Sequence, residues 1–427
     1  MMLKLYLLTT DFLVWFLVFL GVLYYFWAKK QHLHRQAWRQ IIVTPGSCCA
    51  LISCGVFVFL GLLDSVHWLI IEPGSILVGK VYSLLDFMFD GFFNSEVTYS
   101  EPFATSLFIG SYDASSVAKL NYVDPLGFAA LAKVFIGAAV FSGCMVVVLG
   151  YLVDFNKAKR YCWQLACIFF WLFLIFLAWF LLPHYHLFGT DQVGDDVFYQ
   201  CVKSIRTAIV IGGVSMLFML PFAVFFGLVA GYFGGVVDDI IQFVYTVLSS
   251  IPAVLLIAAF GLVLDIFVIS NGDLFVGSSD RADFKLLGLC VILGATGWMP
   301  LARLLRAETL KLKGFAFIQA AKLMRVNNIV IVFRHLLPNV MHLVLMTVVL
   351  DFSGLVLAEA VLSYVGVGVD SSTYSWGNIV NAARLELARD PVVWWPILGS
   401  FIMMFSLVLS VNLLADALRK NFAPKEN

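Results

Sequence analysis

QAAKLMRVNNIVIVFRHLLPN, residues Gln319 to Asn339, interrupts two long apolar runs with Lys322, Arg325, Arg334 and His335. Ala320 and Ala321 are small, strong helix formers that let another surface approach closely. Asn327 and Asn328 tolerate turn and left-handed geometry and can end a helix. A second, more apolar helix, IVIVFRHLL, follows, and Pro338 stands near the start of the next apolar run. The residues alone fit two arrangements, a helical knob projecting from a membrane or an amphipathic loop lying on its surface.

The remainder of the chain requires the membrane. Of 427 residues, 62% are hydrophobic and 13% charged, whereas soluble domains carry about 25% charged residues. This much apolar surface needs lipid as solvent, and runs near 20 residues make helices the spanning element. A formal net charge of zero leaves no basic field for nucleic acid. Cys48, Cys49, Cys54, Cys144, Cys162, Cys167 and Cys290 lie in or beside apolar runs and Cys201 stands apart. Without a C-x-x-C pair they are expected as buried thiols, not as a zinc site or disulfide framework.

Hydropathy predicts nine membrane helices, near residues 11–27, 42–63, 130–153, 162–182, 205–230, 239–264, 285–303, 337–358 and 392–416. The first ends in YYFWAKK with no small-residue cleavage site, which reads as a retained helix, not a signal peptide. Four basic groups fall on one side if the helices alternate: Lys29, Lys30, Arg35 and Arg39; Lys157, Lys159 and Arg160; the loop from Arg303 through Arg306, Lys311, Lys313, Lys322, Arg325 and Arg334; and Arg419, Lys420 and Lys425. The positive-inside rule makes that side cytoplasmic, with the N-terminus outside and the C-terminus inside. The opposite face carries one long, mildly acidic loop, residues 64–129. Within it VYSLLDFMFDGFF places Val81, Leu84, Leu85, Met88, Phe89 and Phe92 at helical spacing, for an interfacial helix or a packed cap.

Other short patterns carry little chemistry. GSILVGKV (Gly74 to Val81) has Val81 where a phosphate loop needs Ser or Thr, and lacks the strand–loop–helix context. The His pairs His32/His34 and His184/His186 have no further ligands at metal spacing, so no metal is expected. No nucleophile–base pattern or paired carboxylates stand out, and no catalytic residue is assigned. Asp351 is different, because a charge at mid-span costs about 2.5–3.5 kcal/mol on insertion scales. It must face protein, water or a partner, either lining a path for cationic groups or bonding a neighbouring helix.

The opening stretch resembles the cytoplasmic "EAA" loop of bacterial binding-protein-dependent ABC transporter permeases. HLFGTDQVGDDVF (186–198), GLVAGYFGGVVDDIIQ (227–242), FRHLLPN (333–339), LAEAVLSYVGVGV (357–369), SWGNIVNAAR (375–384) and NLLADALRK (412–420) resemble the C-type subunit of dipeptide and oligopeptide permeases in order, over residues 162–427. Gln319 replaces the loop's Glu, Arg325 its Gly, Asp195 stands where that family usually has Arg, and Asp351 where it has a small residue.

The resemblance implies an all-α polytopic membrane protein whose last six of nine helices form a type I importer permease core (162–427), with an ATPase-docking loop at 304–336. Residues 1–161 become an extension with about three helices and the outer loop. Gln319, Ala320, Ala321, Arg325, Asn327, Arg334, His335 and Pro338 are the expected ATPase-docking residues. Asp351, Ser353, Gly354 and Glu359 are the expected translocation face, and Gly189, Thr190 and Asp191 belong to the periplasmic segment. The implied partners are a B-type permease, two ABC ATPases holding ATP and magnesium, and an extracytoplasmic solute-binding protein, at the bacterial inner membrane. This chain would bind no cofactor and perform no covalent chemistry. Peptides are the expected cargo, with nickel or antimicrobial peptides as alternatives within the class. An ion-coupled secondary transporter and a membrane enzyme are the rivals outside it.

Overall fold

A computed structural model describes residues 2–30, 32–71, 80–89, 99–104, 127–152, 162–275, 277–389 and 392–422. Among them, nine helices are long and apolar enough to cross a membrane. In chain order the elements are β1 (Met2–Tyr6), α1 (Thr9–Lys30), α2 (His32–Val43), α3 (Pro45–Asp64), β2 (His67–Ile71), β3 (Lys80–Ser83), α4 (Leu84–Phe89), α5 (Phe128–Leu152) and α6 (Cys162–Leu181). There follow α7 (Val197–Phe233), α8 (Gly235–Ser249), α9 (Ala253–Ser270), α10 (Ser278–Lys313), α11 (Ala316–Leu323), α12 (Asn328–Val365), α13 (Trp376–Ala383) and α14 (Trp395–Phe422). The spanning helices are α1, α3, α5, α6, α7, α9, α10, α12 and α14.

The sixth expected span, 239–264, is corrected. The chain breaks at Ser250–Pro252 into amphipathic α8 and apolar α9, which is the crossing segment. Pro252 has no N–H to continue the ladder and disfavours helical geometry in Ile251. The Ser250 hydroxyl donates to the Val247 carbonyl at 2.7 Å, capping α8. Pro221 and Pro300, by contrast, sit inside the unbroken helices α7 and α10.

Helices α7 and α10 form the spine, and small residues let them close up. A Cβ on Gly227 would stand 2.8 Å from the Leu305 Cβ, and one on Gly231 2.8 Å from the Arg306 carbonyl. The core beneath buries Leu228, Tyr232, Trp298, Leu301, Leu305, Leu336 and Val340.

On the opposite face β1, β2 and β3 form an antiparallel sheet in that spatial order, pairing Leu5 with Trp68 and Trp68 with Tyr82. Hydropathy gave no sign of this sheet, because β1 runs directly into an apolar helix. The stretch expected as an interfacial helix splits between β3 and the short α4. Leu85 is fully buried there and Phe89 packs on Tyr199, so this part of the loop is a packed cap. Residues 74–79 of GSILVGKV, Phe92 and the basic residues Lys157, Lys159 and Arg160 lie outside the described residues.

The expectation of free thiols is corrected for one pair. Cys49 of α3 and Cys167 of α6 form a disulfide, with Cα atoms 5.7 Å apart. A separation of 118 residues hides this from local spacing; helix packing creates it. Beside the bond, Trp171 donates to the Ser53 hydroxyl at 2.9 Å and stacks edge-on against Phe57.

The N-terminal segment is built into the rest of the chain. Asp11 on the first turn of α1 accepts from the Arg206 guanidinium at 2.6 and 3.1 Å and meets His67 at 2.8 Å. Asp283 on α10 accepts from the hydroxyls of Thr9, at 2.5 Å, and Thr10, and Tyr6 donates to Asp280 at 2.5 Å. Arg206 is almost enclosed, so each of its charge partners matters.

Candidate functional site

Between α10 and α12 the chain forms a helical knob. Helix α11 turns Ile318 and Ala321 inward, and the π-helical stretch Ile331–Leu336 at the start of α12 buries Ile331, Val332 and Leu336. The turn between them satisfies two orphan carbonyls: the Val326 amide donates to the Ala321 carbonyl at 3.1 Å and the Arg325 amide to that of Lys322 at 3.0 Å. This six-to-one, five-to-two pattern places the residue at Arg325 in the left-handed region, φ 56°. Arg325 therefore occupies a position where glycine is favoured.

The two asparagines divide the rest of the work. The Asn327 side chain caps the next helix, accepting from the Ile329 amide at 3.0 Å. Asn328 accepts from the Tyr232 hydroxyl at 2.7 Å, pinning the knob to the end of α7. The Lys322 ammonium sits 4.9 Å over the Tyr232 ring. Burial first, then the Lys313 charge, pulls the pKa of Lys322 down.

Of the expected docking residues, Gln319, Ala320, Arg325, Asn327, Arg334 and Pro338 are exposed, and His335 is half-buried. Ala321 is corrected: at 3% exposure it packs into the knob's own core and offers no surface. The sequence reading missed the apolar crown. Leu323 is 84% exposed and Met324 73%, with Ile329 and Phe333 also open. Their signal was the placement of large apolar residues on the face of α11 and of the following helix that Ile318 and Ile331 do not use.

At the root of the knob, Arg306 of α10 clamps Asp238 of α8 in a two-bond fork, Nε–Oδ1 at 2.5 Å and Nη2–Oδ2 at 2.6 Å. These bonds hold the Asp238 carboxyl below the usual carboxylate range against the opposing effect of burial. Arg303 stacks over Tyr245 at 4.6 Å, a second tie between the same two helices.

The residues expected along the path do not share one environment. Asp351 is half-buried on α12 and makes no hydrogen bond or ion pair with another described residue. Gly354 is exposed, with open space where a Cβ would stand, so it makes no close helix contact within the described chain. Ser353 points the other way, donating to the Leu350 carbonyl and to Asn412 Oδ1 of α14, both at 2.8 Å. Glu359 is buried and accepts from Ser363 at 2.7 Å and Ser375 at 2.5 Å, tying α12 to the start of α13.

Beyond these residues, at the sheet side, a cleft of about 370 Å³ opens between α9, α10 and the segment after α12. Lys285 crosses it, bonding Asp265 at 2.7 Å and Asp370 at 2.8 Å.

The segment Gly189–Asp191 is a knot at the head of α7. The Thr190 carbonyl accepts from Trp395 at 2.8 Å, and its hydroxyl accepts from the Ser100 amide at 2.7 Å. Gly189 has φ 69°, and a Cβ there would meet the Ser100 carbonyl at 2.4 Å. Asp191 accepts from the Val193 and Asp195 amides and from Gln200, while Asp196 caps α7 through the Tyr199 amide. Asp195, in the place of an expected Arg, is pushed up by partial burial and then by Asp191 and Asp196. No group of three metal-ligating side chains converges among the described residues.

Residues 223–427 match the family "binding-protein-dependent transport system inner membrane component". The chain is similar to the oligopeptide transport system permease protein OppC of Haemophilus influenzae, 29% identical over 57% of this chain and 71% of the relative. The dipeptide transport system permease protein DppC of Bacillus subtilis is 28% identical over 56% of this chain and 69% of its own length. The glutathione transport system permease protein GsiD of Pectobacterium atrosepticum is 29% identical, over 56% and 73%.

Proposed function

Because the chain is a multi-pass permease subunit of the binding-protein-dependent inner-membrane transport family, we propose that it forms half of the translocation path of an ATP-driven peptide importer. The second half is a B-type permease. Two ABC ATPases bind the cytoplasmic face, one of them on the knob, and a solute-binding protein delivers cargo at the sheet face. ATP and magnesium reside in the ATPases. The N-terminus is outside and the C-terminus cytoplasmic, which puts the basic knob on the ATPase side.

The observation that carries this reading is the apolar crown Leu323, Met324, Ile329 and Phe333 on a knob anchored between two spanning helices. A water-exposed apolar patch marks a protein contact. The π-helical stretch joins the knob to α12 without a loop, and Asn328–Tyr232 and Arg306–Asp238 join it to α7 and α8. Displacement of the crown by a closing ATPase pair then moves α12 and α7 as one lever between two pore arrangements. The relatives' names, oligopeptide, dipeptide and glutathione, favour small peptides as the cargo class. Asp351, uncommitted on α12, lines the path and favours cationic groups on the cargo.

The test is uptake of trialanine by a strain lacking this chain. Wild type restores ATP-dependent uptake and Leu323→Asp/Phe333→Asp, inserted at equal level, does not. Equal uptake by both would remove the crown from the mechanism. Asp351→Asn lowers uptake of trilysine several-fold relative to trialanine; an unchanged ratio removes Asp351 from the path.

A further inference from the structure

Under the three-stranded sheet lies a polar chamber of about 230 Å³, one wall from the N-terminal segment and the other from α7, α10 and the turn before α13. Its charges do not balance. Asp11, Asp64, Asp86 and Asp283 line or back it, against the fixed cations Lys203 and Arg206. Lys203 is committed to Asp86 at 2.7 Å, and Arg206 is shared between Asp11 at 2.6 Å, Asp283 at 4.0 Å and, through space, Asp64. Asp283 is held by Thr9 and Thr10. Among the described residues, and even with His67 protonated on Asp11, these carboxylates exceed the cations by one.

Asp64, the last residue of α3, is the excess group. It lines the chamber at 4% exposure, and its Oδ1 has no hydrogen-bond partner. The enclosed hydroxyl of Thr373, which also lines the chamber, is likewise without a partner. A carboxylate withdrawn from water with one oxygen unbonded and only a shared cation nearby is costly, so such groups take up a further partner or a cation. An excess of one negative charge is balanced by a single monocation, and no group of three ligating side chains converges among the described residues.

We infer that this chamber is a binding site for a small monocation, held by the Asp64 carboxylate and the Thr373 hydroxyl at the seam between the N-terminal segment and the permease core. The chemistry is shared by a partly hydrated alkali ion and a primary ammonium group. Occupancy fastens α3 and the sheet to the heads of α7 and α10. The inference is independent of the cargo.

The experiment follows the thermal midpoint of the full chain in detergent micelles. Sodium or methylammonium replaces N-methylglucamine at constant ionic strength. A ligand that binds only the folded state raises the midpoint in a saturating way, and the wild type is expected to do so. Asp64→Asn abolishes the response and leaves the midpoint in N-methylglucamine equal or higher, because it removes a carboxylate in excess of the described cations. Should Asp64→Asn fail to fold, Thr373→Val serves, raising the half-saturating concentration about fivefold for one lost hydrogen bond. A response to sodium alone assigns an alkali ion, and one to methylammonium alone an ammonium group. No response in the wild type, or an equal response in the variants, overturns the site.

Discussion

Arg325 condenses the relation between sequence and geometry at the residue scale. The turn after α11 needs a left-handed residue, and a side chain there costs roughly 1–2 kcal/mol. Arg325→Gly is expected to raise the unfolding free energy by about 1 kcal/mol and Arg325→Val to lower it, read from midpoints in detergent. An unchanged midpoint in both would mean that the knob relaxes without cost. The departure from glycine was visible in the sequence, and the asparagines nearby were read as residues that tolerate turn geometry and end a helix. The structure assigns them elsewhere, Asn327 to a helix cap and Asn328 to Tyr232. Residue type announced a turn; the hydrogen-bond partners depend on packing against α7, which no local pattern encodes. The same distinction explains Ala321. A pair of alanines looked alike in sequence, but the helical step between them sends one to the surface and the other into the core.

At the scale of elements, apolar runs were legible because lipid demands them, and eight of the nine expected spans overlap single spanning helices. The exception, α8 with α9, was read as one span because both halves are apolar. The break was written in Pro252, and the amphipathicity of α8 in Asp238 facing Arg306. This clamp has a defined pH signature. Asp238 is held below its ordinary carboxylate value, so its contribution to stability is fully present above about pH 4 and is lost as pH falls through the lowered folded value. Asp370 behaves alike: burial raises its carboxyl, but Lys285 and Ser372 outweigh that and hold it low. Asp238→Asn is expected to flatten the acid limb of the stability profile measured between pH 6 and pH 3. A profile that keeps its wild-type slope would show that the clamp does not contribute to acid stability.

For the whole molecule, the sequence divided the chain into an extension and a core, whereas side-chain contacts weave the two together. Arg206 belongs to the core, yet its nearest carboxylate, Asp11, comes from α1. Removing one partner of a buried pair costs about 3–5 kcal/mol, so Asp11→Ala is expected to lose about that much unfolding free energy in denaturant titration. A loss below 1 kcal/mol would mean that Asp283 and Asp64 compensate Arg206 without α1. None of these long-range pairings is readable from spacing, since the partners lie in different helices and only the assembled heads of α1, α7 and α10 bring them together.

The knob's apolar crown makes the central claim, that this chain passes ATPase motion to the membrane. The most direct measurement is co-purification from native membranes in mild detergent, comparing the tagged wild type with Leu323→Asp/Phe333→Asp. Both residues are exposed, so the variant keeps its fold. An ATPase pair recovered with the wild type and lost with the variant is the predicted result. Equal recovery with both, or no ATPase with the wild type, would contradict the account.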